Sequence, residues 1–324
     1  MNHYTHLTID EREKIMVLLN LGKNISQIAH KLNRHHSTIS REISRNRPPK
    51  KYSAENAQKR YAKMKRNCGA KHLLLNIKLR EFVEQKLKKR WRAEEISNYI
   101  KKENLPYKVS ASTIYRAYDC RIINQTFKKY FPQKRKNKRR KNTTNQGIMQ
   151  NTVSINQRSK WVDKKLTIGH YEGDTVLGQR KTGSILTMVE RFSMYLMARK
   201  LETREKKEVE KEMIAMFENI PKSKVKTITL DNGKEFQNHI NIAEKTNTKI
   251  YFCEPYSPWQ RGLNENLNRT LREYFPKKTS YAKITNEDIF KTVEEINNRP
   301  RKRLNYYTPN EVFHNPKLLK KLCT

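Results

Sequence analysis

The sequence predicts a multidomain chain: an all-α N-terminal region followed by an α/β domain with a mixed five-stranded sheet. Two patterns predict this division. Apolar residues recur at helical spacing through the first third of the chain, whereas short β-type runs alternate with amphipathic helices from about Gly169 onward. Between the two parts, residues 128–141 contain nine basic residues and no acid. Because such a block repels itself, we place a linker there, one that can also track DNA phosphates.

The charge of the chain points to a polyanionic partner. Seventy Lys and Arg residues stand against 32 Asp and Glu residues, which gives a formal net charge of +38. Any single lysine is explained as a solvated surface residue, but this imbalance is too large for that explanation to cover the whole chain. The composition therefore favours nucleic acid as the partner.

The cysteines and the N-terminus argue against several classes of protein. Cys68, Cys120, Cys253 and Cys323 lie far apart and form no CxxC pair, so a structural zinc module is not expected. The N-terminus lacks a basic stretch followed by an apolar one, and no apolar run approaches the ~18 residues that span a bilayer. We therefore expect a soluble cytoplasmic protein that associates with the nucleoid, where free thiols stay reduced.

The first 50 residues predict three short helices. Thr8 to Glu11 has the form of a capping box, and Gly22 stops the helix that follows. A second helix begins near Ile25, and a tight turn at residues 33–35 leads into a third helix over residues 37–46. This layout predicts a helix-turn-helix domain.

The third helix has an outward face that suits a DNA major groove. Ile39 and Ile43 lie four residues apart and face inward, which leaves short hydrogen-bonding groups and cations on the other side. Such groups can meet base edges and phosphates. The residues that we expect to contact DNA are Ser37, Thr38, Ser40, Arg41, Ser44 and Arg45. The alternative is a small helical bundle with a polar surface.

Residues 51–125 predict a second helical region. Ser110 or Ser112 can cap a short helix that turns Thr113 and Arg116 outward, as possible DNA contacts. A second DNA-reading module and a helical spacer both stay open for this region. The predicted boundaries are 1–50 for the helix-turn-helix domain, 51–125 for the second helical region, 126–155 for the basic linker and 156–324 for the α/β domain.

The C-terminal half predicts the order strand, strand, strand, helix, strand, helix, strand, helix. The predicted strands cover residues 168–177, 185–189, 195–201, 225–231 and 249–253, and two of the helices cover 206–219 and 263–274. This order is the layout of an RNase H-like mixed sheet.

This layout brings three acidic side chains together. Asp174 lies within the first strand, Asp231 ends an adjacent strand, and Glu265 lies in the first turn of a helix beside them. Phosphoryl transfer is served by two hard cations about 3.5–4 Å apart, and Mg²⁺ takes a few carboxylates together with water and phosphate oxygens. Each acid alone has a structural explanation, as a turn residue or as a first-turn helix acid. The predicted metal site therefore depends on the combination.

Several motifs resemble the retroviral-integrase-like DDE transposases, most closely the insertion-sequence-thirty family. The matching stretches are GHYEGD at 169–174, TLDNGKEF at 229–236, YSPWQRGLNEN at 256–266, NRPRK at 298–302 and TPNEVF at 308–313. The 33 residues between Asp231 and Glu265 match the spacing of that family. Two positions depart from it: Tyr171 stands where the family often has tryptophan, and Arg269 stands where glycine is common.

The resemblance implies a transposase that cuts the ends of its element and joins the freed 3′-OH directly to target DNA. Asp174, Asp231 and Glu265 would be the catalytic metal ligands, with Mg²⁺ as the cofactor and Mn²⁺ as a substitute. Arg272 matches a position that faces DNA in relatives, and residues 258–262 would form a mobile loop near the substrate. The implied partners are terminal inverted repeats, target DNA and at least one further copy of the chain.

Two other functions stay open at this stage. One is a helix-turn-helix transcription regulator, which has no use for three acids at these spacings. The other is a nuclease that does not transpose, or a degenerate transposase retained as a repressor. Glu172 projects from the same strand face as Asp174, and we expect it to be a neighbour that tunes the site.

Overall fold

The computed structural model describes residues 5–46, 51–68, 72–131, 151–255 and 257–323. The chain divides into two compact units between His72 and Leu73. Most of the predicted basic linker, residues 132–150, lies outside the described residues.

In its described residues the N-terminal unit consists of four helices: α1 (Ile9–Asn20), α2 (Ile25–Lys31), α3 (His36–Asn46) and α4 (Ala54–Asn67). The predicted capping box is present, since the Glu11 amide donates to the Thr8 hydroxyl and the Thr8 amide donates to the Glu11 carboxylate. Gly22 ends the first helix with φ +72°, and Asn33 begins the tight turn before α3 with φ 50°. Both positive φ values fit residue types that tolerate the left-handed region.

A buried ion pair fixes α3 against α1. The Arg12 Nε donates to the Glu42 carboxylate at 2.7 Å, and Arg12 also donates to the Gln58 side chain of α4 at 2.6 Å. The apolar core around this pair includes Ile15 and Ile39, which are fully buried. The buried side of α3 therefore combines Ile39 and Ile43 with an ion-paired glutamate.

The second unit opens with a helical subdomain that contains α5 (Ile77–Lys88), α6 (Ala93–Lys102) and α7 (Ala111–Asp119). These helices enclose a core that includes Val83, Ile96 and Ile114. Ser110 caps α7, because its hydroxyl accepts the Thr113 amide at 3.1 Å. The serine cap predicted for this short helix is thereby assigned to Ser110.

The rest of the second unit is the α/β part, and its described residues contain a mixed five-stranded sheet, as predicted. The strands are β1 (His170–Leu177), β2 (Ser184–Glu190), β3 (Leu196–Leu201), β4 (Thr227–Leu230) and β5 (Lys249–Phe252). Their order is β3-β2-β1-β4-β5, with the first three antiparallel and β4 and β5 parallel to β1. The fold is that of an RNase H-like domain.

Helices cover both faces of this sheet. Among the described residues, the α-helices of this part are α8 (Trp161–Lys164), α9 (Lys206–Phe217), α10 (His239–Thr246), α11 (Gly262–Leu271), α12 (Asn286–Asn297), α13 (Pro309–His314) and α14 (Pro316–Cys323). Tyr171 of β1 packs in one apolar cluster with α9 and α10, whereas Val176 packs in the other with α11 and α12. Because strand residues alternate between faces, the even-numbered residues of β1 point toward α11.

Polar and aromatic contacts tie the helical subdomain to the α/β part within the second unit. The Arg299 Nε pairs with Glu95 at 2.6 Å, and both side chains are largely buried. The Lys102 ammonium pairs with Glu311 at 2.9 Å. These bonds connect α6 to the segment around α13, across more than two hundred positions of sequence.

The described thiols are free and differ in exposure. Cys68 and Cys120 are exposed, whereas Cys253 is buried directly after β5. Burial raises the pKa of the Cys253 thiol to about 11. None of the helices in the described part of the chain is long and apolar enough to cross a membrane.

Candidate active site

The two aspartates of the predicted triad lie at neighbouring parallel strands, one on β1 and the other directly after β4. Glu172 of β1 pairs with Thr229 of β4, Asp174 lies two residues further along β1, and Asp231 follows the last residue of β4. The side chain of Asp174 is 28% exposed and that of Asp231 is 32% exposed. Both carboxylates are therefore accessible at the same end of the strand pair.

Arg261 bridges these two carboxylates. Its Nη2 lies 3.0 Å from the Asp231 Oδ2, its Nη1 lies 3.6 Å from the Asp174 Oδ1, and Nη1 also donates to the Gly173 carbonyl at 2.8 Å. Burial lowers the pKa of Arg261, but the charges of Asp231 and Asp174 outweigh it and the net shift is upward. Burial raises the pKa of Asp174, and the Arg261 guanidinium opposes that shift. The aspartates thus share one cation.

Amide groups also hold both carboxylates. Asn268 of α11 donates its Nδ2 to the Asp174 Oδ2 at 2.9 Å, and the Thr175 amide donates to Oδ1 at 2.8 Å. The Gly233 amide donates to the Asp231 Oδ1 at 3.2 Å. Each carboxylate therefore has a defined orientation, with one oxygen directed at Arg261.

Glu172 lies on the same face of β1 as Asp174, as the alternation of the strand predicts, but its carboxylate is fully engaged. It is buried, it pairs with the Arg191 Nε at 3.0 Å, and it accepts a hydrogen bond from the backbone N–H of Asn264 at 3.1 Å. The Asn264 Nδ2 returns a bond to the Glu172 carbonyl at 3.1 Å. Glu172 thereby fastens the first turn of α11 to β1.

Glu265 is on the first turn of α11, as predicted, and its side chain is exposed. Within the described ranges, no group of three His, Cys, Asp or Glu side chains could hold a metal ion. The structure therefore brings Asp174 and Asp231 together and leaves Glu265 outside the pair. The inward face of α11 beside β1 is occupied by Asn264 and Asn268, which lie four residues apart.

The aspartate pair fits a divalent cation. One oxygen of each carboxylate already faces a positive group, and carboxylate oxygens are the donors that hard divalent ions prefer. The packing of β1 requires a glycine between Glu172 and Asp174, because a Cβ at Gly173 would lie 2.6 Å from Leu230 and 2.8 Å from the Met188 sulfur. The close packing of β1 against its neighbours therefore depends on this glycine.

Two family models match the chain, a helix-turn-helix domain over residues 3–46 and an integrase core domain over residues 166–258. The chain is 36% identical to the transposase InsI for insertion sequence element IS30C of Escherichia coli (strain K12), over 95% of this chain and 83% of that relative. It is 35% identical to the transposase for insertion sequence element IS4351 of Bacteroides fragilis, over 95% of each chain. It is also 32% identical to the putative integrase ORF3 of Spiroplasma virus SpV1-R8A2 B, over 96% and 98%.

This chain belongs to the IS30 transposase family. It is an insertion-sequence transposase that combines a DNA-binding helix-turn-helix domain with a polynucleotidyl transferase core. Cores of this family generally work with a divalent metal, and the aspartate pair lies in the part of the transposase that the integrase model covers. The sequence-based prediction of family, fold and function is confirmed.

The predicted recognition helix of the transposase presents a mixed surface. Arg41, Ser44 and Arg45 are exposed on α3. Ser37, Thr38 and Ser40 are half-buried, and the Ser37 hydroxyl lies 2.8 Å from the His35 Nδ1. The two arginines are therefore the most accessible cations of this face.

The other predicted DNA contacts differ in accessibility. Arg116 of α7 is exposed, whereas Thr113 is half-buried and its hydroxyl lies 2.8 Å from the Ser110 hydroxyl. Arg272 is half-buried after α11 and donates to the Leu177 carbonyl at 3.4 Å, at the end of β1. Arg272 thus stands beside the strand that contributes Asp174.

Sequence patterns do not indicate all the groups that orient the transposase aspartates. Arg261 lies in the loop predicted near the substrate, but no pattern around it indicates its contacts with both carboxylates. Asn264 and Asn268 gave a usable signal: they are polar residues at i and i+4 on a helix whose other inward positions are leucines. Because buried polar side chains are hydrogen-bonded, two asparagines on a buried helix face indicate polar partners on the strand against which the helix packs.

Proposed function

We propose that this transposase cleaves the ends of its element and joins them to target DNA with Mg²⁺ held by Asp174, Asp231 and Glu265. Mn²⁺ would substitute for Mg²⁺, because both take carboxylate oxygens. The observation that carries the proposal is the convergence of Asp174 on β1 and Asp231 directly after β4 on a single cation.

The residues of the chain have distinct roles in this proposal. When bound, the metal activates the attacking oxygen and stabilises charge on the phosphate. Asn268 and the Thr175 amide keep the Asp174 carboxylate in one orientation, and the Gly233 amide does the same for Asp231. No covalent bond between DNA and protein is needed, because a water or a 3′-OH attacks the phosphodiester directly.

Glu265 is the third ligand in this proposal. It is exposed and lies three residues before Asn268, so the two side chains are neighbours on the surface of α11. Its support comes from the Asn-Glu-Asn motif and from the 33-residue gap after Asp231. Its side chain has to turn from solvent toward the aspartates when the site assembles.

Substitution of the ligands tests the metal site. We expect Asp231→Asn to abolish Mg²⁺-dependent cleavage of end-sequence DNA while DNA binding persists, because the amide lacks the charge that the metal requires. Glu265→Gln should have the same effect. The matched controls are Asp119→Asn and Glu273→Gln, which change exposed acids of the same unit. Undiminished cleavage by Asp231→Asn would remove the ligand assignment.

We also propose that α3 reads the terminal inverted repeats. The exposed Arg41 and Arg45 support this role, because arginine bonds guanine in the major groove with two donors. Arg116 and Arg272 would contact further phosphates, together with Thr113. Joining two ends requires at least two copies of the chain on the DNA, and we expect them to work at the nucleoid.

A substitution in α3 tests the recognition helix. Arg41→Gln should weaken binding to end DNA by about 1–3 kcal/mol and relax the sequence preference, if Arg41 contacts a base. Lys59→Gln is the matched control, because it removes one exposed positive charge from α4 of the same unit. Equal affinity of the Arg41 and Lys59 variants, measured by fluorescence anisotropy, would exclude a base contact by Arg41.

A further inference from the structure

Arg261 occupies the position between the carboxylates that a metal ion would need. The Asp174 Oδ1, which also accepts the Thr175 amide, and the Asp231 Oδ2 both point to its guanidinium. The side chain of Arg261 is only 17% exposed, and it also donates a hydrogen bond to the Gly173 carbonyl. The arrangement is therefore a built contact and not a surface ion pair.

A guanidinium and a divalent cation cannot use these two oxygens together. The two groups are both positive, and at a separation of a few ångströms they would repel one another strongly in a partly buried site. Without any cation, the two carboxylates would in turn repel each other. Neutralisation by Arg261 and neutralisation by metal are therefore alternatives.

The position of Arg261 in the chain links this choice to the third acid. Arg261 is the N-cap residue immediately before α11, and Glu265 follows four residues later on the first turn. The same turn is fastened to β1 through Asn264 and Glu172. If the Arg261 side chain left the aspartates, the first turn of α11 would therefore still be bonded to β1 through Asn264 and Glu172.

We propose that Arg261 is an internal counter-cation of the transposase: it neutralises Asp174 and Asp231 in the metal-free protein and must leave them before a divalent cation binds. This inference rests on the proposed function, because it takes the two aspartates as metal ligands. Arg261 competes with the metal for the two carboxylates, so the metal affinity of the transposase depends on Arg261 as well as on the ligands.

Metal binding by the full-length protein without DNA tests the competition. The probe is Mn²⁺, and free Mn²⁺ is measured by electron paramagnetic resonance. Arg261→Gln should bind Mn²⁺ about tenfold or more tightly than the wild type, since the metal no longer displaces a charged hydrogen bond. Arg261→Lys should show a smaller gain, because lysine keeps the charge but lacks the two-pronged geometry. Arg269→Gln, which removes an exposed charge on the same helix, should leave the affinity unchanged.

A second measurement, of the unfolding temperature, distinguishes competition for the aspartates from a loss of structure in the variant. With a chelator present, Arg261→Gln should unfold at a lower temperature than the wild type, because its aspartates are left without a cation. Added Mn²⁺ should then raise the unfolding temperature of Arg261→Gln more than that of the wild type. An equal response of the two proteins to Mn²⁺ would contradict the competition.

Asp231→Asn separates the two hypotheses. If Asp231→Asn loses Mn²⁺ binding while Arg261→Gln binds no more tightly than the wild type, the competition is wrong and the ligand assignment stands. If Asp231→Asn binds Mn²⁺ as the wild type does, or if no variant binds it, the ligand assignment fails and the inference fails with it.

Discussion

At the scale of single residues, the site depends on amide groups that hold its carboxylates in place. Asn268 donates to the Asp174 Oδ2 and accepts the Thr187 hydroxyl at 3.0 Å, so its amide orientation is fixed from both ends. Thr187 belongs to β2, which pairs with β1. One asparagine therefore connects α11 and two strands at the Asp174 carboxylate.

We expect Asn268→Ala to lower the strand-transfer rate by about 10- to 100-fold, the usual effect of removing a partner that orients a metal ligand. The substitution leaves the Asp174 Oδ2 without its donor and should also cost about 1–3 kcal/mol of unfolding free energy. Asn266→Ala is the control, because Asn266 is exposed on the same helix. An unchanged rate with lowered stability would show that Asn268 is structural only.

The positions of the aspartates could be predicted from sequence, whereas the direction of the Glu265 side chain could not. Alternation along β1 and the parallel register of β4 determine where Asp174 and Asp231 lie, because both follow from backbone geometry. The direction of the Glu265 and Arg261 side chains depends on how the chain enters α11 after β5. No local pattern determines that entry, since it is set by tertiary bonds such as that from Arg261 to Gly173.

At the scale of elements, the start of β1 is fastened to β4 by a buried histidine. The His170 Nδ1 lies 2.8 Å from the Thr227 hydroxyl, and the side chains belong to paired residues. Burial, together with the charges of Lys226, Arg191 and Arg158, lowers the pKa of His170 from 6.5 to about 4. His170 is therefore neutral in the folded protein at neutral and mildly acidic pH.

This pKa predicts a loss of stability on acidification. Between pH 6.5 and 4 the unfolded chain binds a proton at His170 and the folded protein does not, so the free energy of unfolding falls as the pH is lowered through this window. The contribution at the acid end is on the order of 3 kcal/mol. His170→Asn should remove it, measured as a shallower pH dependence in urea unfolding. Parallel curves for the variant and the wild type would contradict the assignment.

Element boundaries show what local sequence determines. The capping box at Thr8 and the stop at Gly22 were predicted, because they depend on residues a few positions apart. β3 was expected from Tyr195 but begins at Leu196. Tyr195 stacks on Phe313 with 4.3 Å between ring centroids, and no pattern near residue 195 could reveal a partner more than one hundred positions away.

At the scale of the whole molecule, the helical subdomain and the α/β part of the second unit are held together by buried polar contacts. We expect a chain that is cut at a protease site placed within residues 132–150 to stay associated, because the Arg299–Glu95 pair is largely buried. Removal of one partner of a buried pair costs about 3–5 kcal/mol, so Arg299→Gln should release the pieces. Gel filtration of the cut protein measures this, with exposed Lys101→Gln as the control. Dissociation of the cut wild type would contradict the prediction.

The distribution of thiols gives the transposase two natural attachment points for dyes. Cys68 is exposed in the N-terminal unit and Cys120 is exposed in the second unit, whereas Cys253 is protected by burial and a raised pKa. Once Cys323 is replaced by serine, maleimide fluorophores should react at one position in each unit. Energy transfer between the two dyes would then report whether the distance between Cys68 and Cys120 changes when end DNA is added.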